Sequence, residues 1–592
     1  MHKRLLVGHF LRRFLDNDLV SPDADRHEAI AVTLAALVSS GLVLTLLCSI
    51  KYLFRPVQSR GWTVVVSLDD TFLYCGISMA VMALVALAVW DALSLDARDT
   101  AILGALPVRR GTIATAQVAA VALFALAFAI ASNAVPSLLA PLIRISRLPV
   151  GLGGLVWLVA AHAAVSMAAG LFGFAVVLGT REVLRAGLGS TLFARVSPVV
   201  QGLLVVLCAT FLLTLPSLSA DVDRRWLEAG RVAAMPPLWF VGLHESLTGN
   251  SIAGLPRTNP PADAPRRDTL IAFETRTMDR YHAREPLLAA LGDVAIAALT
   301  LVLAASAAAC AWNSRRLPAP PSSRSRPPGR VHAALAGWLM GLCVRRPLTR
   351  AGFVFTLQAL SRSVPHRVAL ATSLGVAVAA AAACLRWADR DPAGERLALQ
   401  VLAIQPAVLG VLVAGFRHAT RVPAELAGRT TFVLSMPAGG DRPFRAGVKR
   451  AGLVFVGLPP IVLLAGVHMA NVGASLAVAH ALVGVLLVLV LLELAFSRPD
   501  GLPFVTIGER SGNPIALAPI YLLAACSGVW LLAWIEREAL ASTEGAAAFL
   551  AALTIAWGVS VYVARRQSTT SPSVLVVPDA PAGVSQPLTL HD

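Results

Sequence analysis

The sequence predicts an all-α polytopic membrane protein, and three observations carry that prediction. The 592-residue chain is 56% apolar and only 14% charged, against about 25% charged residues in soluble domains. Apolar runs long enough to cross a bilayer, about 20 residues each, recur from one end of the chain to the other. The arginines cluster between those runs rather than on one compact basic domain.

Each observation has a physical basis. The bilayer core offers no water, so backbone groups must pair within each segment, and continuous Ala/Leu/Val stretches therefore read as helices. A β-barrel would instead show alternating strands of about ten residues. The net charge of +16 fits the excess of Lys and Arg on cytoplasmic loops better than it fits nucleic-acid binding. The seven cysteines mostly sit inside apolar runs and form no C-x-x-C pair, so neither a disulfide frame nor a zinc site is expected. The first long apolar run begins near Ala29 and exceeds a signal-peptide core, which makes it a retained span.

Twelve spans are predicted, near 29–50, 70–90, 112–135, 153–179, 198–218, 287–311, 365–386, 398–416, 451–471, 474–496, 515–535 and 546–563. The stretch from Val448 to Phe496 is almost continuously apolar and must be cut near Asn471. With the N-terminus inside, cytoplasmic segments hold most of the Lys and Arg, so both termini are placed in the cytoplasm. The acidic Glu536-Arg-Glu segment then falls in an outside loop and Arg565-Arg566 in the inside tail.

The chain divides at its middle. Residues 1–311 form a first six-span half, with a long extracytoplasmic loop at 219–286. A Pro/Ser/Arg-rich cytoplasmic linker follows at 312–330 and cannot pack a core. Residues 331–566 form a second six-span half, and 567–592 a flexible tail. Each half opens with a basic, partly amphipathic segment, Leu5–Leu19 and Val344–Ser363, suited to a helix lying in the membrane interface or to a plain juxtamembrane extension. An internal repeat also shows. Residues 95–120 and 425–451 each contain an apolar stretch ending in Leu106-Pro107 or Met436-Pro437, then a polar turn, then a span. This is the pattern of two fused six-span units, with chance similarity between Ala/Leu-rich segments as the competitor.

The first of these loops carries a family resemblance. Residues 99–112 read DTAILGALPVRRGT and resemble a cytoplasmic element of type-2 ABC-transporter permeases, in which a leucine-rich stretch ends in Leu-Pro-Val and a basic pair. In that family the element lies against the nucleotide-binding subunit and passes on its movement. The resemblance implies that Asp99, Leu103, Leu106, Pro107, Arg109 and Arg110 face a separate ATPase subunit, expected as a dimer. Its second-half counterpart would use Arg429, Leu434, Pro437, Asp441 and Arg442. That copy has Ala-Gly-Gly-Asp in place of Val-Arg-Arg, so the two sites would be asymmetric. Fused twelve-span members also carry a Pro-Pro-x-Trp-Phe stretch like that at Pro236–Phe240, where Trp239 and Phe240 suit an interfacial anchor. The family places the chain in the bacterial cytoplasmic membrane as the permease of an exporter.

Other chemistry is not encoded. No G-x-x-x-x-G-K-[ST] loop is present, so an ATP site must come from a partner chain. His27-Glu28 and His244-Glu245 lack the second histidine of a zincin, and no G-x-S-x-G elbow occurs. No catalytic residue, cofactor or metal is expected. Asp293 and Glu493 lie near span ends, where a functional charge and a snorkelling one are equally in view. His162, His468 and His480 read first as hydrogen-bonded packing residues, with a transport site as the alternative. Gln201, Gln405 and Pro459-Pro460 are placed to shape a cavity or a kink. A chain with so few buried charges fits an external ATPase better than ion coupling. A twelve-span ion-coupled transporter and a non-transport membrane scaffold are the alternatives. The substrate is left open, with an apolar pathway tilting toward hydrophobic molecules.

Overall fold

The computed structural model describes residues 2–15, 26–53, 60–90, 92–93, 108–145, 151–220, 222, 235–248, 267–315, 346–388, 399–422, 432, 435–437, 439–497, 502–505 and 514–570. Among these there is no β-strand. The chain forms two compact units, Met1–Arg324 and Ser325–Asp592, and the division falls within the Pro/Ser/Arg-rich segment.

The first unit contains α1 (His2–Leu15), α2 (Arg26–Leu53), α3 (Arg60–Ala88), α4 (Arg110–Ile145), α5 (Leu152–Ser219), α6 (Pro236–Thr248) and α7 (Arg267–Arg315). The second contains α8 (Pro347–Arg362), α9 (Val364–Ala388), α10 (Leu399–Arg421), α11 (Asp441–Gly452), a π-helical turn (Leu453–Gly457), α12 (Leu458–Val472), α13 (Ala474–Ala495), α14 (Pro514–Ala539) and α15 (Thr543–Thr570).

Nine helical segments among the described residues are long and apolar enough to cross a membrane, and α8 with α9, bent by 81°, makes a tenth if counted as one span. Their outward faces are apolar. Leu46 and Leu47 on α2, Val462 and Leu463 on α12, and Ile555 and Val559 on α15 are all more than half exposed. Water would not tolerate such continuous bands, whereas lipid does. The chain is an integral membrane protein. The predicted spans 29–50 and 515–535 fall in α2 and α14, whose first turns lie outside the residues with described side chains.

Several boundaries have local causes. The long α5 bends at Gly189, whose φ of 70° and ψ of 168° are non-helical, so one continuous element carries the fourth and fifth spans. Pro459 and Pro460 cannot donate to the preceding turn, and the ladder widens just before them, with Leu458 N–H reaching Leu453 O. Such π turns relieve strain inside a helix. The stretch around Asn471 is cut at Gly473, which has φ 84° and ψ 163° and joins α12 to α13. That backbone region is essentially restricted to glycine. Gly473→Ala is therefore expected to lower stability by about 1–3 kcal/mol, measured by thermal unfolding in micelles. Gly466→Ala, on α12 with nothing within 4 Å of its added Cβ, is expected to be neutral or better.

The expected long loop at 219–286 is more ordered than the sequence suggested. It contains α6, and α7 begins at Arg267, well before the predicted span. Helix α6 is buried against α3, α5 and α7. A Cβ on Gly242 would overlap the Leu288 carbonyl oxygen, so the α6 and α7 backbones touch there. Pro236 and Pro237 in the first turn, where prolines lose no hydrogen bond, were the available signal for this helix.

Candidate functional site

Three places concentrate chemistry. The first is the end of each unit that holds its amphipathic helix. In the first unit α1 packs on α4, burying Phe10 and Phe14, and Phe14 meets Phe124 edge-on at 5.7 Å. The segment 94–107 lies outside the described residues, but both of its flanks are held. Gln117 Nε2 donates to Leu93 O at 2.7 Å, and Val108 packs against the same core. In the second unit α8 packs on α11. Phe355 contacts Phe432, Phe444 and Phe504 at centroid distances of 5.3, 6.0 and 6.0 Å. His366 lies 5.3 Å from the Phe504 ring, and its Nε2 donates to Val422 O at 3.0 Å. This aromatic knot ties the chain on both sides of α11 to α8.

Asp99, Leu103, Leu106, Pro107, Arg429 and Leu434 lie outside the described residues, as does the side chain of Arg110. Arg109 is exposed, and its carbonyl accepts from Thr112 N at 2.8 Å as α4 starts. Pro437 is exposed at a turn closed by Gly440 N to Pro437 O, 2.8 Å. Asp441 opens α11, where the N-terminal dipole favours a carboxylate, and Arg442 next to it is exposed. Arg109 thus sits where α1 meets α4, and Asp441 and Arg442 where α8 meets α11. Phe240 corrects the expectation of an interfacial anchor. It is fully buried against Phe172, 5.7 Å away, and Trp239 is half-buried on the same ring at 6.0 Å.

The second place is the opposite end of the first unit. Asp70, 1% exposed, accepts from Lys51 Nζ and the Tyr52 hydroxyl, both at 2.8 Å. Arg144 on α4 is buried and donates to Thr71 Oγ1 at 3.1 Å. His162 on α5 meets Tyr74 and His244 edge-on at 5.2 and 5.8 Å. Glu245 Oε1 lies 3.2 Å from His244 Nδ1, and Oε2 accepts from Tyr281 at 2.6 Å. Burial works against the Glu245 charge. The bonds from His244 and Tyr281, with the Arg144 charge nearby, outweigh it and hold the carboxyl below its ordinary range. Deeper in the bundle Asn133 donates to Ser78 Oγ, which donates to Ser166 O.

The third place is the corresponding end of the second unit. Glu536, expected in an outside loop, is 1% exposed in the last turns of α14. Its Oε1 lies 2.5 Å from His480 Nδ1 on α13. His468 meets His480 edge-on at 4.4 Å and donates from Nε2 to Val401 O at 3.3 Å. Gln405 Nε2 donates to His480 O at 2.7 Å.

These clusters correct the expectation of few buried charges, since Asp70, Arg144, Arg181, Glu182 and Glu536 are all buried. Asp70, Arg144 and Glu536 are held by partners on other helices, and Glu182 by Asn313 on α7 as well as by its neighbour Arg181. Of the two carboxylates singled out, Asp293 is exposed, and Glu493 pairs with Lys449 at 2.6 Å, joining α11 to α13. Gln201 donates to Leu87 O at 3.0 Å and so ties α5 to α3. The six described cysteines are free thiols, and no group of metal ligands occurs among the described residues. Comparison with known proteins returned no match to a family model, a curated protein or a solved structure.

Proposed function

We propose that this chain is the permease subunit of an ABC-type exporter, a twelve-span protein of the bacterial cytoplasmic membrane with both termini inside, energised by a separate ATPase dimer. One observation carries the reading. In each unit an amphipathic helix is packed on the first turns of the helix that follows the Leu-Pro or Met-Pro loop, α1 on α4 and α8 on α11. This turns a weak sequence repeat into a repeated arrangement, and it backs each loop with a rigid lever.

In this mechanism the ATPase docks on 95–111 and, less symmetrically, on 425–447. Closure of the ATPase dimer pushes each loop. The push passes through α4 and α11 together with the levers packed on them, α1 and α8, at the membrane surface. Charge reversal of Arg109 and Arg110 to Glu, or Pro107→Ala, is expected to weaken co-purification with the ATPase at least tenfold, about 1.4 kcal/mol, while membrane insertion stays normal. Undiminished co-purification of both variants would sink the docking assignment.

The second reading is an ion-coupled twelve-span transporter, and the buried His480–Glu536 pair favours it, because titratable groups inside a membrane bundle mark ion pathways by default. Transport that persists without ATP and collapses with the proton gradient would select it.

A further inference from the structure

The geometry points to a buried proton-binding site in the second unit, formed by His480 and Glu536 with Gln405 beside them. The inference concerns proton occupancy of one cluster and stands under either energy source above.

Three polar atoms here are buried without a hydrogen-bond partner: His480 Nε2, Glu536 Oε2 and Gln405 Oε1. The corresponding carboxylate of the first unit is different, because both Glu245 oxygens are bonded. A buried polar group left unmatched costs about 1–3 kcal/mol, so three in one cluster mark a place built for something more than packing. His480 Nδ1 faces Glu536 Oε1 at 2.5 Å, so one hydrogen lies between them, on the imidazole or on the carboxyl.

Charge counting selects the occupant. With Nε2 bare and Glu536 ionised, the pair carries one negative charge in a low-dielectric interior, which is strongly disfavoured. One proton taken from water, onto the imidazole or onto the carboxyl, gives a pair of zero net charge. A second proton would restore a net charge. The site therefore takes one proton, and no electron or bond other than N–H or O–H is involved.

Among the described residues no other counter-charge faces the pair. From α12 comes His468, whose Nε2–H is committed to Val401 O and whose ring, 4.4 Å away, disfavours a second imidazolium. From α10 come Gln405 and the Val401 carbonyl, which do not titrate. On α14 itself Arg537 is turned to Glu538 at 2.8 Å. On α15 Glu544 is exposed in the first turn. From α11 Lys449 pairs with Glu493, about 20 Å along α13 at 1.5 Å per residue. The pair bridges α13 and α14, so the proton also determines how firmly those helices are joined.

The test is proton uptake by the purified full-length chain in lipid nanodiscs, counted with a pH indicator on moving from alkaline to neutral buffer. Exposed carboxylates stay ionised across that range. Wild type is expected to take up one more proton per chain than Glu536→Gln or His480→Gln, and Glu544→Gln is expected to match wild type. Equal uptake by wild type and both site variants, each eluting as a folded monodisperse species, overturns the proposal. If the variants do not fold, infrared difference spectra of the unmutated protein with isotope-labelled histidine decide instead. A buried imidazole or carboxyl that gains a proton across the range supports the site, and a spectrum with no such change overturns it.

Discussion

Replacing Glu182 with alanine is expected to destabilise the first unit by about 3–5 kcal/mol, the usual consequence of removing one partner from a buried ion pair. Arg181 and Glu182 are each 1% exposed, and Arg181 Nη1 donates to Glu182 Oε1. The guanidinium lies 5.8 Å from the Trp90 ring and 5.7 Å from that of Phe193, faces that attract a cation. Glu182 also receives Asn313 Nδ2 at 2.7 Å on Oε2 and 2.8 Å on its carbonyl. One carboxylate therefore balances a buried cation and fastens α5 to α7. Alanine removes the carboxylate beside the Arg181 guanidinium and the side-chain bond from Asn313, leaving the bond from Asn313 to the residue-182 carbonyl.

Two controls separate these contributions. Asn313→Ala removes only the fastening and is expected to cost about 1–3 kcal/mol. The double variant Arg181→Met with Glu182→Gln removes both charges and is expected to recover most of the loss. Denaturant titration in mixed micelles measures all three. A Glu182→Ala protein as stable as the double variant would show that the Arg181 charge is already solvated, contrary to its burial.

The same pair illustrates what the sequence could and could not convey. Spans were legible because a continuous apolar run records directly that a helix faces lipid. The amphipathic segments were legible too. The predicted Leu5–Leu19 and Val344–Ser363 became α1 and α8 with shifted ends, since helical spacing of apolar residues reports a one-sided environment. The break near Asn471 fell two residues on, at Gly473, where the backbone needs a residue without Cβ. Buried charges were illegible for a definite reason. Hydropathy treats any charge as the end of a span, and the helices that bury and hold a charge can lie far along the chain. Asn313 is 131 positions from Glu182, and the backbone N–H of Val222 that bonds Asp69 is 153 positions away. Glu536 was misplaced for this reason. The turn between α14 and α15 spans only residues 540–542, so what reads as a charged loop is the last part of α14, with Glu536 on its inward face. The loop elements that resemble an ATPase-docking motif stand on the sequence, while their flanks stand on packing.

Those flanks give the second large expected effect. Gly447→Leu is expected to lift α8 from α11 and, under the proposed exporter function, to abolish ATPase-coupled transport. A Cβ at Gly447 would overlap the Thr349 carbonyl oxygen and approach Phe353 N to 2.7 Å, and one at Gly352 would overlap the Phe444 carbonyl oxygen. The obstructing atoms are backbone, so no side-chain rotation relieves them, and the cost should reach or exceed the roughly 1–3 kcal/mol of ordinary overpacking. The first unit builds the equivalent contact differently. Gly8 on α1 and Gly111 on α4 have nothing within 4 Å of an added Cβ, and Phe10, Phe14 and Phe124 fill the interface. Gly8→Ala and Gly111→Ala should therefore be silent, while Gly352→Leu should mimic Gly447→Leu. Hydrogen exchange of the α8 amides separates an undocked lever from an unfolded protein. Faster exchange confined to α8, with α10 and α13 still protected, is the expected pattern. Full transport with a demonstrably undocked α8 would mean that force does not pass through this helix, and the lever role assigned to it in the second unit would have to be given up.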